Sequence, residues 1–110
     1  MDLKSKKCIP CKGGIPPLTP EQIAEYTPHI APDWTVVEHH HLQRSFRFKN
    51  FVETMGFVNM MAAIAESEDH HPDFCVSYGR VDVRIWTHAV DGLTESDFIL
   101  AAKIDALVDK

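Results

Sequence analysis

The stretch His41-Leu42-Gln43-Arg44-Ser45-Phe46-Arg47-Phe48-Lys49-Asn50-Phe51-Val52-Glu53-Thr54-Met55 holds a change of period that decides the fold. Up to Phe48 the period is two, with Leu42, Arg44, Phe46 and Phe48 alternating with His41, Gln43, Ser45 and Arg47 as a half-buried strand requires. From Asn50 onward it is helical. Phe51, Met55, Val58, Ala62 and Ala65 form one apolar stripe, and Asn50 with Glu53 three residues on is a helix-start signature. A second stripe, Phe57, Met61 and Ile64, lies on another side of the same helix. One stripe covers the chain's own core; the other is expected to be covered by a second copy, the alternative being that it packs under the N-terminal arm.

Working outward from this junction, Trp34 to Phe48 reads as two strands that turn near His39–His41. Ahead of them Thr19, Pro20 and Gln22 give a capping box with proline at the first helical position. Leu18 and Ile23 stand at staple spacing, and Pro28 and Pro32 stop that helix. Residues 1–17 carry lysines, Gly13-Gly14 and Pro16-Pro17 without apolar periodicity, and read as an arm. Beyond the central helix Pro72 is expected to end it. Phe74–Tyr78 and Val81–Thr87 form a hairpin around Gly79-Arg80. Leu93-Thr94-Glu95-Ser96-Asp97-Phe98 then opens a last helix running to about Val108. The order is α-β-β-α-β-β-α, an α+β fold: a four-stranded antiparallel sheet with helices packed on one face, over residues 18–110.

A chain of 110 residues makes one domain with one modest core. Its net charge of −5 repels nucleic acid, and Arg44, Arg47 and Lys49 read as solvated strand surface. No stretch approaches a membrane span and no secretory signal is visible at the start. Three cysteines, an odd count, fit a reducing compartment, so the expected location is the cytoplasm.

The chemistry lies in Glu66, His70-His71-Pro72-Asp73, His88 and Asp97. Imidazole is the one side chain whose ordinary pKa lies near neutrality, and three of them flanked by carboxylates can give and take protons on a small polar molecule. Glu66 and His70 are four apart, so Glu66 is expected to orient His70. His71 is turned away by Pro72, and His88 comes at the end of the last strand, so the three meet at a helix-end and strand-end rim. Adjacent His70 and His71 diverge, which suits a shared zinc ion poorly, and no metal is expected. Asp97 is equally a capping-box acid and a chemical group. His39-His40-His41 lacks carboxylates at helical spacing and reads as exposed turn and strand edge. Cys8-Ile-Pro-Cys11 is followed by Lys12-Gly13-Gly14, which breaks the helix a redox pair would open, and no second pair completes a zinc site. Cys75 reads as a small core residue.

The run Glu66-x-x-x-His70-His71-Pro72, then Tyr78, Thr87-His88, Gly92-Leu93-Thr94 and Asp97, resembles the pterin-4a-carbinolamine dehydratase family over residues 19–108, with Trp34, Phe46-x-Phe48 and Leu100-Ala101 included. The resemblance implies removal of water from 4a-hydroxytetrahydropterin to give quinonoid dihydropterin, without redox step, metal or cofactor. It implies a place in recycling tetrahydropterin for an aromatic amino acid hydroxylase as pathway partner, and a homodimer or homotetramer. By the same resemblance His70, His71 and His88 are catalytic, with acid and base unassigned among them. Asp69, Trp86 and Thr87 touch the pterin, and Glu66 and Asp97 support the cluster. Phe74 stands where the family often has tryptophan, which preserves a flat apolar wall. Members of the family also act as binding partners in other proteins' assemblies; on that alternative the central helix is the working surface and the histidines are a relic.

Overall fold

The computed structural model describes residues 1–9 and 15–108, so Cys11 of the Cys8-Ile-Pro-Cys11 motif lies outside the described residues. The elements are α1 (Pro20–Tyr26), β1 (Thr35–Val37), β2 (His41–Arg47), α2 (Phe51–Glu68), β3 (Asp73–Ser77), β4 (Arg80–Ile85) and α3 (Glu95–Val108), with 3-10 turns at Leu3–Ser5, Thr27–His29 and His88–Val90. Both strand pairs made by hairpins, and the β2–β4 pair between them, are antiparallel in the order β1-β2-β4-β3. This is the α+β architecture that the periods predict.

Local chemistry explains the boundaries. Thr19 accepts from the Gln22 amide while the Gln22 side chain accepts from the Thr19 amide, a complete capping box for α1. Asn50 accepts from the Glu53 amide and starts α2. The β3–β4 turn crowds β2: a Cβ on Gly79 would sit 2.7 Å from the Phe48 carbonyl oxygen, so only glycine permits the Phe48 N–H to donate to the Gly79 carbonyl at 2.8 Å.

The core lies between the sheet and the helices. Leu42 and Phe46 of β2 and Val81, Val83 and Ile85 of β4 face Phe57 and Met61 of α2 and Phe98, Leu100 and Ile104 of α3. The buried face of α2 is Thr54, Phe57, Val58, Met61, Ala65 and Glu68. This corrects the expected stripes: Phe57 and Met61 serve the core, whereas Phe51 and Ala62 of the first stripe are exposed. Phe57 turns inward because its ring meets Phe46 at 4.6 Å and Phe48 at 5.1 Å, and aromatic pairs of this kind add about 0.5–1.5 kcal/mol beyond burial. The uncovered apolar groups of α2 are Phe51, Val52 and Met60.

Two more expectations fail for the same reason, a neighbour invisible in sequence. Arg44 is not solvated surface; its guanidinium pairs with Asp105 at 2.5 Å, where Asp105 also accepts from Trp34 Nε1 and the Ala31 amide. Cys75 is exposed rather than core, because β3 is an edge strand and Cys75 pairs with Asp82 on the sheet's outer face. The segment 1–9 is docked: Leu3 is 2 % exposed and Cys8 is buried against α3. Burial and the nearby Glu68 carboxylate push the Cys8 thiol up to about 12.

Candidate active site

The site begins where α2 stops. Asp69 takes the left-handed conformation (φ 51°, ψ 43°), its amide donates back to the Ala65 and Glu66 carbonyls, and the His70 amide reaches the Ala65 carbonyl at 3.1 Å. This is a Schellman-type terminus with aspartate in the place usually held by glycine. The helix therefore ends at Glu68, four residues before Pro72, not at it. The early stop also undoes the expected Glu66–His70 pair, since His70 has left the helical path on which residues four apart are neighbours. Glu66 instead pairs with His71, Oε2 to Nε2 at 2.6 Å.

His70 finds its carboxylate on α3. Nε2 lies 2.6 Å from Asp97 Oδ1, with the carboxylate fully buried and the imidazole 12 % exposed. Asp97 Oδ2 accepts from the Thr94 amide and from the Thr87 hydroxyl, both at 2.8 Å. Thr87 has thereby committed its proton, so the Thr94 hydroxyl donates to Thr87 Oγ1 at 2.9 Å. Asp97 is thus both a capping-box acid and an anchor for an imidazole. A buried carboxylate needs such donors, because leaving one unpaired is strongly destabilising. A carboxylate only accepts, so Nε2 of His70 carries the proton in this bond.

The third imidazole arrives from the 3-10 turn after β4. The turn is closed at its base by Thr87 and Gly92, whose backbones bond to each other at 2.9 and 3.4 Å. His88 Nε2 stands 3.9 Å from Asp73 Oδ2, in ion-pair range but beyond a hydrogen bond. His70, His71 and His88 line one hollow of about 260 Å³, together with Asp69, Asp73, Trp86, Thr87 and Ala89. The Trp86 ring stands edge-on to His88 at 4.4 Å and gives the hollow a flat wall. Thr87 borders the hollow at 4 % exposure, with its hydroxyl bound to Asp97. A larger cavity of about 520 Å³ lies elsewhere, bordered by Asp2, Lys4, His29, Asp33, Arg44 and Asp105, where Arg44 and Asp105 are committed to the tie with Trp34 between sheet and α3.

Four residues in and around the site had no sequence signal or only a partial one. Thr94 was legible as a cap but not as a partner of Thr87. Asp73 sits in the histidine run and reaches His88 only once β3 is formed. His40 and His41 are not a free turn: their rings stand 5.4 and 5.7 Å from Trp86, and His40 Nε2 lies 2.8 Å from Asp91 Oδ1. Their Nδ1 atoms are 3.0 Å apart, and burial, then His40, then Arg84 hold the His41 imidazole below its ordinary range. Among the described residues no three histidine, cysteine, aspartate or glutamate side chains are placed to share a metal ion, and no helix is long and apolar enough to cross a membrane.

Comparison with known proteins gives a consistent result. The family described as pterin 4 alpha carbinolamine dehydratase matches residues 16–107. A Rubrobacter xylanophilus protein, provisionally named pterin-4-alpha-carbinolamine dehydratase, is 51 % identical over 96 % of this chain and 98 % of its own. An Alkaliphilus metalliredigens protein with the same provisional name is 47 % identical over 94 % of each chain. Among solved structures, a Brucella melitensis protein described as a transcriptional coactivator/pterin dehydratase is similar at TM-score 0.79 and 36 % identity, over 84 % of this chain and 99 % of that one. A pterin dehydratase-like RuBisCO assembly factor of the alpha-carboxysome shares the fold at TM-score 0.58 and 22 % identity, over 70 % of this chain and 88 % of that one.

Proposed function

The chain belongs to the pterin 4 alpha carbinolamine dehydratase family, and from that premise we propose that His70, His71 and His88 remove water from a 4a-hydroxytetrahydropterin by general acid/base catalysis. The observation that carries this reading is the hollow itself: three imidazoles from two separate segments border it, one of them anchored on a buried carboxylate, with an indole as its flat wall. The reaction asks for little else. One proton goes to the departing hydroxyl, one leaves a ring nitrogen, and the electron pair released by that nitrogen forms the new C=N bond as the C–O bond breaks. The products are quinonoid dihydropterin and water.

Each group has a task on this reading. Asp97 fixes the tautomer and orientation of His70, leaving Nδ1 as the nitrogen available to the guest. Glu66 pairs with His71 at 2.6 Å and Asp73 faces His88 at 3.9 Å, which turns both rings toward the rim where protons are exchanged. Trp86 stacks on the bicyclic ring and Asp69 borders its polar edge. Positioned acid/base groups of this kind contribute about 10²–10⁴-fold. The product serves cofactor recycling beside a hydroxylase, in a reducing, cytoplasmic setting. The test is stopped-flow decay of the carbinolamine at neutral pH. Decay well above the spontaneous rate is expected; no acceleration by folded protein overturns the reading.

The second part of the proposal is a homo-oligomer. Phe51, Val52 and Met60 on α2, and Phe74, Val76 and Tyr78 along the β3 edge, leave apolar groups uncovered, and an edge strand offers unpaired backbone groups to a further strand. These surfaces hold copies of the chain together, which makes a separate assembly function of the central helix unnecessary. Light scattering in line with gel filtration is expected to give a dimer or tetramer; a monomer at micromolar concentration contradicts it.

A further inference from the structure

Two links join the C-terminal end of α2 to the N-terminal end of α3. One is the His70–Asp97 pair. The other is made by the N-terminal segment, which lies ahead of the family's matched residues 16–107. Leu3 anchors the segment in the core, and Lys6 pairs with Glu95 at 3.0 Å. The Cys8 amide then donates to Glu68 Oε1 at 2.8 Å, while Glu68 Oε2 meets Lys103 at 3.3 Å. One residue later the Ile9 amide donates to Ser96 Oγ at 2.9 Å and the Ser96 hydroxyl donates to the Ile9 carbonyl at 3.3 Å. The Cys8 thiol donates to the Ser96 carbonyl. Glu68 is the last residue of α2, two before His70; Ser96 immediately precedes Asp97. Glu68 is 8 % and Ser96 6 % exposed, so the two side chains that the segment grips are themselves shielded from bulk water.

We propose that residues 3–9 form a strap that sets the spacing of His70 and Asp97, with Glu68 and Ser96 as positioning residues for the dehydration. The proposal rests on the reading that His70 acts on the pterin. The strap touches neither the hollow nor its guest. It joins the two backbone points from which imidazole and carboxylate are hung, and displacements of about 1 Å in such a pair can cost up to 10²-fold in rate. The substrate wall at Trp86 and His88 comes from other elements, so the strap governs turnover and not binding.

The test is steady-state dehydration by the full chain carrying Ser96→Ala, Glu68→Ala or Glu68→Gln, beside wild type and His70→Ala. Assays run well below each variant's thermal midpoint. Ser96→Ala and Glu68→Ala are expected to lower kcat about tenfold with KM within twofold of wild type. Glu68→Gln keeps an acceptor for the Cys8 amide and is expected to restore at least half of kcat. Wild-type kcat in both alanine variants overturns the strap while wild type and His70→Ala still differ. A rise in KM matching the fall in kcat, or a Glu68→Gln defect as deep as Glu68→Ala, marks general loosening and also overturns it. No difference between wild type and the spontaneous rate overturns the catalytic reading instead. An independent arm records the ¹⁵N resonances of the His70 ring, which are expected to shift in Ser96→Ala; an unchanged ring contradicts the strap without reference to activity.

Discussion

The His70–Asp97 and His71–Glu66 pairs have the same atoms at the same 2.6 Å separation, and they are physically different objects. In the first the carboxylate is fully buried and the ring 12 % exposed; in the second the values are 79 % and 53 %. Exposed pairs are screened and contribute about 0–1 kcal/mol, whereas a buried carboxylate that accepts three donors holds them all in place. The adjacent histidines therefore differ: one ring is held by a buried carboxylate and the other stands open to solvent. The difference arises at Asp69, whose left-handed backbone sends His70 toward α3 and leaves His71 beside the outer side of α2.

The comparison breaks first at Asp97. Asp97→Ala is expected to lower kcat by about 10²–10⁴-fold. It also destabilises the fold by about 1–3 kcal/mol, since the Thr94 amide loses its acceptor in the interior. Thermal unfolding and dehydration kinetics read the two effects separately, and near-wild-type kcat contradicts the role given to the buried pair. Next in size, His88→Ala is expected to cost roughly 10²-fold in kcat with the thermal midpoint within a degree or two of wild type, because the side chain is 59 % exposed. An active His88→Ala enzyme removes the third imidazole from the chemistry.

The outer pair sharpens the contrast from the other side. Glu66→Ala is expected to change stability by less than about 1 kcal/mol and kcat only a few-fold, and raising salt to 1 M should mimic most of that change in the wild type. Salt should leave the His70–Asp97 contribution intact; equal salt sensitivity of both pairs removes the distinction. The smallest effect concerns the strap. The Cys8 amide first, and then Lys103, hold the Glu68 carboxyl below the usual carboxylate range. A depressed carboxylate contributes stability that is full above its unfolded pKa and is lost as pH falls through its folded value. The stability gap between wild type and Glu68→Gln should therefore shrink on acidification below about pH 4. A gap that stays constant to pH 3 contradicts that linkage.

Features governed by neighbours in sequence were legible in the chain itself. The Thr19/Gln22 box, the Asn50 cap, the alternation from Leu42 to Phe48 and the Asp97 cap depend on contacts three or four residues long or on a single period, and each is where the sequence puts it. The three histidines were recognisable as a group, and they do border one hollow. Features governed by distant partners were not legible. Nothing near Glu66 announces that Asp69 will turn left-handed, so helical spacing paired Glu66 with the wrong histidine. The choice between the two apolar stripes of α2 depends on where Phe46 and Phe48 place their rings. Cys75 looks like a core residue until β3 is known to be an edge, and the run His39–His41 looks like a free turn until Trp86 and Asp91 are brought beside it.

The measurement closest to the central claim is single-turnover decay of a 4a-hydroxytetrahydropterin in the presence of the variant carrying His70→Ala, His71→Ala and His88→Ala together, with circular dichroism matched to wild type. The account predicts decay at the spontaneous rate, against strong acceleration by the wild type. Acceleration that survives the loss of all three imidazoles would contradict it.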